Sequence, residues 1–402
     1  MVPEGGPEAR AGRVETGGPG AQAGRVAEVE RRSRAPAAGS LARRWGPPLA
    51  LTLLCRITLL LLGFSASVID TNKGFGSFQQ FLQIWNRWDA PHYLYIAEHG
   101  YANSGDEANF IVFFPFYPML TRFTAMVVGD YLLAGMLVSL VASLVAAVLL
   151  YELVLLDWDR SMALRAVWFM AIFPTAHFLI APYAEATYLA LTLAAFYAVR
   201  RAHHKLAGLW SGLALLTRGL GVALLPTLVA EFQEGRLRPS PRLLWLGFMP
   251  VAGLLYLGVN DSVFGDAFAF QERLAEHWFK RPAWPWEGIY NTFSAHTWRS
   301  PGEAMLVVWG ELAFLAIVLA AGLAAWRWLR PSYGIYVLAS WLIMASTSYI
   351  LSTPRYALGL FPIFIVMARL GRGEIWGYGL SALSMAALSF FTIEYSLGRW
   401  AF

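Results

Sequence analysis

The residues that can do chemistry are concentrated between Trp85 and Pro118, in a stretch rich in acidic, histidine and aromatic side chains. The acids and histidines of this stretch are Asp89, His92, Glu98, His99, Asp106 and Glu107. A carboxylate in partly apolar surroundings can act as a general base, which takes the proton from an attacking hydroxyl group. For Asp89 a second interpretation stays open, because Asp-Ala-Pro is also a common way to begin a helix.

Arginines in or next to apolar sequence form a second group of candidates. Such arginines are costly in a membrane unless their charge is paired, and a guanidinium is well suited to hold a phosphate. Arg218, Arg355 and Arg122 are therefore candidates to hold an anionic leaving group. The alternative for each is that the guanidinium snorkels to the membrane interface, and we expect this for Arg56 in the first apolar run.

The remaining candidates are less specific. Glu185 either orients a substrate or caps the helix that follows it. We predict that Trp88, His92 and Glu107 contact substrate beside Asp89. Because no metal-ligand spacing recurs among the histidines and carboxylates, we expect neither a metal ion nor another cofactor.

Composition indicates that membrane-spanning helices must position these residues. Of the 402 residues, 57% are apolar and 14% are charged, against about 45–50% and about 25% in soluble domains. At roughly 20 residues per span, the apolar sequence predicts about ten spans. These values exclude a soluble enzyme, a single-span receptor and a porin-type barrel. The net charge of +5 comes from short basic clusters beside the apolar runs, which indicates topology rather than nucleic-acid binding.

The chain divides into a polar tail and a multispan domain. Residues 1–46 are predicted to be a disordered cytoplasmic tail, and residues 47–402 a membrane domain. After a first span at 47–69, further apolar runs occupy 131–156, 166–181, 184–199, 243–264, 304–326, 335–350, 357–369 and 375–393. The stretch 206–232 is interpreted as a re-entrant hairpin that breaks near Arg218, Gly219 and Gly221. That choice keeps the basic clusters in the cytoplasm.

With this topology, two long loops, 70–130 and 265–303, lie on the outer or luminal face. In the first loop, apolar residues recur at helical spacing and predict an amphipathic helix in the membrane interface: Phe78, Phe81, Leu82, Trp85 and Trp88. In the second loop, four tryptophans are typical of interfacial aromatics: Trp278, Trp284, Trp286 and Trp298.

The sequence WDAPHYLYIAEHGY at 88–101, followed by FFPFYP at 113–118, resembles the first luminal loop of the GPI mannosyltransferase II (PIG-V-like) family. Looser similarities are CRITLLLL in the first span, PYAEATYLALT at 182–192, LTRGLG at 216–221 and PRYALGLFP at 354–362. The resemblance thus extends from Cys55 to about Arg369.

This resemblance implies a GT-C glycosyltransferase fold, which is an all-α polytopic membrane bundle, here of about 10–11 transmembrane segments. It also implies that the sugar comes from a polyprenyl-phosphate carrier and that the WD aspartate, Asp89, is the general base. Inverting transfer needs one carboxylate to deprotonate the acceptor, and a lipid phosphate leaves without an acid if cations hold its charge.

We therefore expect an integral membrane glycosyltransferase that moves a mannose-like sugar to a lipid or glycan acceptor on the outer or luminal face. The expected membrane is the plasma membrane in a bacterium and the endoplasmic reticulum in a eukaryote. The alternatives are a polytopic transporter or lipid flippase, with Arg218 and Arg355 in broken helices at a midplane site, and a structural scaffold. No internal repeat supports a transporter, and a scaffold does not account for the cluster of acids.

Overall fold

The computed structural model describes residues 38–232, 241–297 and 299–402. Pro47–Phe402 forms one compact unit. Residues 1–37 of the expected tail and Trp298 of the segment 265–303 lie outside the described residues. Residues 38–46, predicted as part of the disordered tail, are helical.

The first half of the chain consists of helices of very different lengths: α1 (Ala38–Thr71), α2 (Phe78–Gln83), α3 (Ala90–His99), α4 (Phe116–Val128), α5 (Tyr131–Val154), α6 (Arg160–Ala171), α7 (Glu185–Arg200), α8 (His204–Thr217) and α9 (Leu224–Phe232). The second half continues in the same way: α10 (Phe248–Phe264), α11 (Ala269–His277), α12 (Pro285–Ser294), α13 (Pro301–Ala304), α14 (Glu311–Trp328), α15 (Pro331–Ala345), α16 (Thr353–Ala357), α17 (Pro362–Leu370) and α18 (Glu374–Ser396). Short 3₁₀ segments occupy Asp106–Val112, Ala176–Leu179, Gly219–Ala223, Pro241–Gly247 and Ala295–Thr297, and a π-helix occupies Met305–Gly310.

Five stretches in the described part of the chain are long and apolar enough to cross a membrane: Leu41–Thr71, Tyr131–Val154, Pro241–Phe264, Pro301–Trp328 and Glu374–Ser396. A sixth is possible if Asp106–Val112 and Phe116–Val128, which meet at a bend of 112°, form one broken span. The other apolar runs form shorter helices, such as α15 and α17, so the count of about 10–11 segments stays a prediction.

Local sequence explains where several helices begin and end. The Asp130 and Asp159 side chains cap α5 and α6 by accepting the backbone N–H groups of Leu133 and Met162, respectively. α10 ends at Gly265, whose φ of +68° lies in the left-handed region that favours glycine. These are ordinary helix signals, and they fix the long helices that surround the candidate site.

The predicted amphipathic interface helix is wrong in its extent. α2 ends at Gln83, and Leu82 and Trp85 are buried in the core rather than facing the membrane interface. Trp85 packs beside Tyr395 of α18, with ring centroids 6.0 Å apart. A membrane interface and a protein core favour the same apolar side chains, so helical spacing alone does not distinguish them. In this structure the apolar side packs against the protein core.

The expected snorkelling of Arg56 is also wrong. Its side chain is buried. The Arg56 Nη1 donates to the carbonyl oxygens of Ala171 and Ala176, at 3.3 and 3.0 Å. The α6 helix ends at Ala171, so these carbonyl groups flank a helix break and are free to accept from a side chain.

Close helix packing fixes the end of α8, from which the candidate site is built. Gly208 and Gly212 of α8 lie four residues apart and face the 3₁₀ segment Pro241–Gly247 and the start of α10, respectively. A Cβ at Gly208 would lie 2.0 Å from the Trp245 carbonyl oxygen, and one at Gly212 would lie 2.8 Å from that of Phe248. Paired small residues at this spacing let helix backbones approach closely in membranes.

We therefore expect Gly208→Ala to destabilise the protein by about 1–3 kcal/mol, because overpacking forces the backbones apart. The matched control is Gly253→Ala on α10, where no atom lies within 4 Å of the added Cβ. Thermal midpoints of both variants in detergent test the packing. Equal midpoints for the two variants would contradict it.

Candidate active site

A cavity of about 540 Å³ lies where several helix breaks and loops meet. Its lining combines an acid, several cations and many aromatic and aliphatic side chains. Asp89 and Trp88 contribute from the α2–α3 turn, Arg218 from the end of α8, and Arg355 from α16. The predicted candidates thus come from distant parts of the chain and meet at one cavity.

Backbone contacts hold Asp89 in place. Trp88, the residue before it, has a φ of +56°, which turns the chain sharply into α3. The Asp89 N–H donates to the Tyr183 hydroxyl at 3.0 Å, and that hydroxyl donates to the Arg87 carbonyl oxygen at 2.8 Å. Asp89 stands at the start of α3 but makes no side-chain capping bond. Its carboxylate is therefore free for another partner, and the capping interpretation does not describe this side chain.

The partner of Asp89 is Arg355, whose Nη1 donates to the Asp89 Oδ2 at 2.5 Å. The Arg355 Nε lies 3.3 Å from the Glu185 Oε1, and Arg218 donates to that same Glu185 oxygen. Two arginines and two carboxylates thus form one continuous cluster, hereafter the charge cluster. Glu185 is the first residue of α7, so it both occupies a helix start and neutralises two cations.

A break between two helices places Arg218 in the charge cluster. α8 ends at Thr217, Arg218 is extended, and a 3₁₀ segment starts at Gly219. A Cβ at Gly221 would lie 2.7 Å from the backbone of Leu215, so only glycine fits this return of the chain. The predicted break near Arg218, Gly219 and Gly221 is present, while the re-entrant course of 206–232 stays a prediction.

The surroundings set the charge states of Asp89 and His92. Burial disfavours the Asp89 charge, but Arg355 outweighs that effect and holds the pKa of Asp89 below its usual range. Burial lowers the pKa of His92, with Asp89 partly opposing it, so the imidazole is neutral at pH 7. The His92 ring packs against Phe110 and Phe113, at centroid distances of 4.3 and 5.2 Å.

Sequence reasoning missed several cavity residues. Lys280, in the segment 265–303, donates to the Leu351 carbonyl oxygen at 3.1 Å, and its Nζ lies 5.2 Å from the Tyr356 ring centroid. The Lys280 charge lowers the pKa of Tyr356 to about 8. The rarity of lysine, with Lys73, Lys205 and Lys280 the only three, was the signal available for Lys280.

Tryptophans form part of the cavity wall. Trp278, expected at the membrane interface, lines the cavity and packs against Phe113 at 5.7 Å. Trp88 donates from its indole to the Arg399 carbonyl oxygen at 3.1 Å and meets the Trp400 ring edge-on at 5.1 Å. Trp284 and Trp286, by contrast, stack on each other and are each 66% exposed, as expected of interfacial aromatics.

Four candidates do not line the cavity. His92 and Glu185 contact the lining residues Phe113 and Arg355, respectively. Glu107 stands on the 3₁₀ segment Asp106–Val112 and is not among the lining residues. Arg122 lies on α4 with an exposed side chain and does not line the cavity. In the described ranges, no group of three or more His, Cys, Asp or Glu side chains is arranged to hold a metal ion.

The charge cluster makes a prediction about stability. Glu185→Gln leaves two buried arginines without the carboxylate they share, so we expect a loss of about 3–5 kcal/mol. Asp89→Asn should cost less, because the Asp89 side chain is 18% exposed against 2% for Glu185 and pairs with Arg355 alone. Thermal midpoints provide the measurement, with Glu98→Gln as control since Glu98 is 52% exposed. A midpoint for Glu185→Gln equal to the control would refute the role of this carboxylate.

Comparisons with known proteins agree with the resemblance seen in the sequence. Residues 61–234 match the mannosyltransferase (PIG-V) family. GPI alpha-1,6-mannosyltransferase 2 of Mus musculus is 35% identical over 154 residues, and that of Cricetulus griseus is 33% identical over the same length. Each match covers 34% of this chain and 29% of the relative, so the chain matches under a third of the relatives' length.

A solved structure is similar over most of the chain. The crystal structure of ArnT from Cupriavidus metallidurans bound to undecaprenyl phosphate superposes with a TM-score of 0.52 at 15% identity, covering 86% of this chain and 68% of ArnT. This likeness confirms the all-α, polytopic GT-C-type fold. Arg355 and Lys280 lie beyond the part of the chain that matches the family. Residues 61–234, with Asp89, Glu185 and Arg218, are therefore similar to the mannosyltransferase (PIG-V) family, in agreement with the resemblance seen in the sequence.

Proposed function

We propose that this protein is an integral membrane glycosyltransferase that moves a mannose-like sugar from a polyprenyl-phosphate donor to a hydroxyl group of a lipid or glycan acceptor. The observation that carries the proposal is the cavity in which the Asp89 carboxylate shares a wall with the cations Arg218, Lys280 and Arg355. A base and an anion site in one cavity are the two parts that this transfer needs. The family match over residues 61–234 supports the sugar class.

The proposed reaction is a single inverting displacement. The acceptor oxygen attacks the anomeric carbon on the face opposite the phosphate, and Asp89 takes the acceptor's proton as the new C–O bond forms. The bond between the anomeric carbon and the phosphate oxygen breaks, and its electron pair stays on the phosphate. Arg355, Arg218 and Lys280 stabilise the charge that builds up there. The reaction therefore uses one carboxylate and no acid.

The charges of the cavity suit this donor. Four cations line the cavity, Arg218, Lys280, Arg281 and Arg355, together with one carboxylate, Asp89. Even with Glu185, which pairs with Arg218 and Arg355, positive charge is in excess. A sugar phosphodiester carries one negative charge and is attracted by that excess. The departing lipid phosphate carries a second charge, which the same cations attract more strongly. The cation set thus favours the state in which the bond is broken.

The cavity provides an apolar surface for the lipid part of the donor. The cavity wall includes Phe270, Leu274, Ile343 and Met344, which suit the first isoprene units of a polyprenyl chain. The similar fold of ArnT, whose crystal structure is described as bound to undecaprenyl phosphate, supports this class of donor.

Donor binding also prepares the base. In this structure Arg355 holds the Asp89 carboxylate. A donor phosphate competes for the same guanidinium and weakens this ion pair, so the Asp89 carboxylate becomes a stronger base when the donor is present. The reaction would then proceed with the donor bound first. We place it on the outer or luminal face, where the positive-inside rule puts both long loops.

Asp89→Asn tests the base directly. Base catalysis contributes about 10² to 10⁴-fold, so we expect turnover to fall by at least that lower factor. The assay follows transfer of radiolabelled mannose from a polyprenyl-phosphate mannose by purified protein in detergent, with a lipid extract of the host as acceptor. Turnover within a few-fold of wild type would remove Asp89 from catalysis. If label stays on the donor in the wild type as well, a transporter or flippase becomes the better interpretation.

The charge pair predicts a pH dependence. Because Arg355 keeps the pKa of Asp89 below its usual range, wild-type kcat/KM should persist down to about pH 4, the ordinary aspartate pKa. Arg355→Ala removes the group that lowers the pKa of Asp89 most, so this pKa rises and the acid limb of kcat/KM should move to higher pH. The matched control is Arg122→Ala, an exposed arginine outside the cavity. An acid limb at the same pH in wild type and Arg355→Ala would contradict the assignment.

A further inference from the structure

Arg355 stands on a helix that is too short to hold itself in place. α16 spans only Thr353–Ala357, a little more than one turn. Its N-terminal flanking residue, Ser352, has a φ of +66° and makes no side-chain capping bond. Isolated helices of this length are unstable, so the position of Arg355 depends on contacts from other elements.

Those contacts come chiefly from Glu311, the first residue of α14. The Glu311 Oε1 accepts the Ser352 N–H at 2.6 Å, and its Oε2 accepts the Thr353 N–H at 2.7 Å. The Glu311 side chain is fully buried. Glu311 thus caps the N-terminus of α16 from another helix. Its carboxylate makes these hydrogen bonds stronger than a neutral acceptor would. A π-helix, Met305–Gly310, ends immediately before Glu311.

Weaker contacts complete the support of this segment. The Thr175 hydroxyl donates to the Pro354 carbonyl oxygen at 2.9 Å, and the Thr292 hydroxyl accepts the Ile350 N–H at 2.8 Å. Each supplies one neutral hydrogen bond, whereas Glu311 supplies two charge-assisted bonds to adjacent residues. Glu311 therefore contributes most to the orientation of the α16 backbone.

We propose that Glu311 is a positioning residue for glycosyl transfer: by binding the Ser352 and Thr353 N–H groups, it sets the α16 backbone so that Arg355 reaches both Asp89 and the donor phosphate. This inference rests on the proposed function of Arg355. Glu311 itself does not line the cavity, so it acts on the substrate only through α16.

Glu311→Gln tests the inference. Glutamine keeps the length of the side chain but turns one acceptor into an N–H donor, which repels one of the two backbone N–H groups. We expect donor kcat/KM to fall about 10- to 100-fold through misplacement of Arg355. Half-saturation by the acceptor extract should stay unchanged. The probe is a short-chain polyprenyl-phosphate mannose with purified full-length protein.

The decisive measurement repeats the substitution in an Arg355→Ala background. If Glu311 acts through Arg355, Glu311→Gln should lower donor kcat/KM less than twofold further there, because coupled residues are not additive. A loss of the same factor in both backgrounds, or no loss in the Arg355-containing protein, would overturn the proposal. Glu231→Gln is the matched control, since Glu231 binds Arg330 and Ser332 outside the cavity. It should lower stability without a change in donor kcat/KM.

A second variant and a binding measurement keep the test of Glu311 decisive. If Glu311→Gln does not yield folded protein, Glu311→Asp keeps the charge and shortens the reach, and it is tested against Arg355→Ala in the same way. The binding measurement uses a short-chain polyprenyl phosphate, whose binding is detected as a shift in the thermal midpoint of the protein. This measurement does not depend on turnover. A wild-type protein that binds this lipid but transfers no sugar defeats the proposed function. Binding that Arg355→Ala weakens but Glu311→Gln does not weaken defeats the present inference.

Discussion

Like and unlike charges are buried together in the charge cluster of this protein. Arg218 and Arg355 share the Glu185 carboxylate, and Arg355 also holds Asp89. Separating any of these groups in an apolar bundle would leave a bare charge, at a cost far above that of a lost surface ion pair. The four residues come from a turn, the start of α7, the end of α8 and the short α16. The helices must therefore break where they do so that these charges meet.

Each break exposes backbone groups, and buried side chains satisfy them. Tyr183 accepts the Asp89 N–H and donates to the Arg87 carbonyl group, while Glu311 accepts two N–H groups before α16. Irregular backbone is tolerated at membrane depth only if it is buried in protein or lines a cavity. The site is thus supported by a ring of polar side chains that take no part in the proposed chemistry.

The sequence predicted those features that depend on local pattern or on a recognisable motif. Asp89 in the WD motif, the break at Arg218, and Glu185 and Arg355 as candidates could all be found in the sequence, because charges in apolar sequence are rare and require an explanation. The ion pairs could not be predicted, since the spacing of residues along the sequence does not relate Asp89 to Arg355. Helical periodicity also could not distinguish Trp85 in the protein core from a residue at the membrane interface. Lys280 and Glu311 act through tertiary contacts alone, and no local pattern indicates them.

The buried Arg56 has a consequence for how the protein is made. Its Nη1 donates to the carbonyl oxygens of Ala171 and Ala176, which lie 115 and 120 residues farther along the chain. During synthesis α1 leaves the ribosome before those acceptors exist, and an arginine near the centre of a span costs about 2.5–3.5 kcal/mol at the translocon. The first helix therefore carries this cost until the segment that contains Ala171 and Ala176 has been made. Burial of Arg56 thus links the first span to a part of the chain that is synthesised much later.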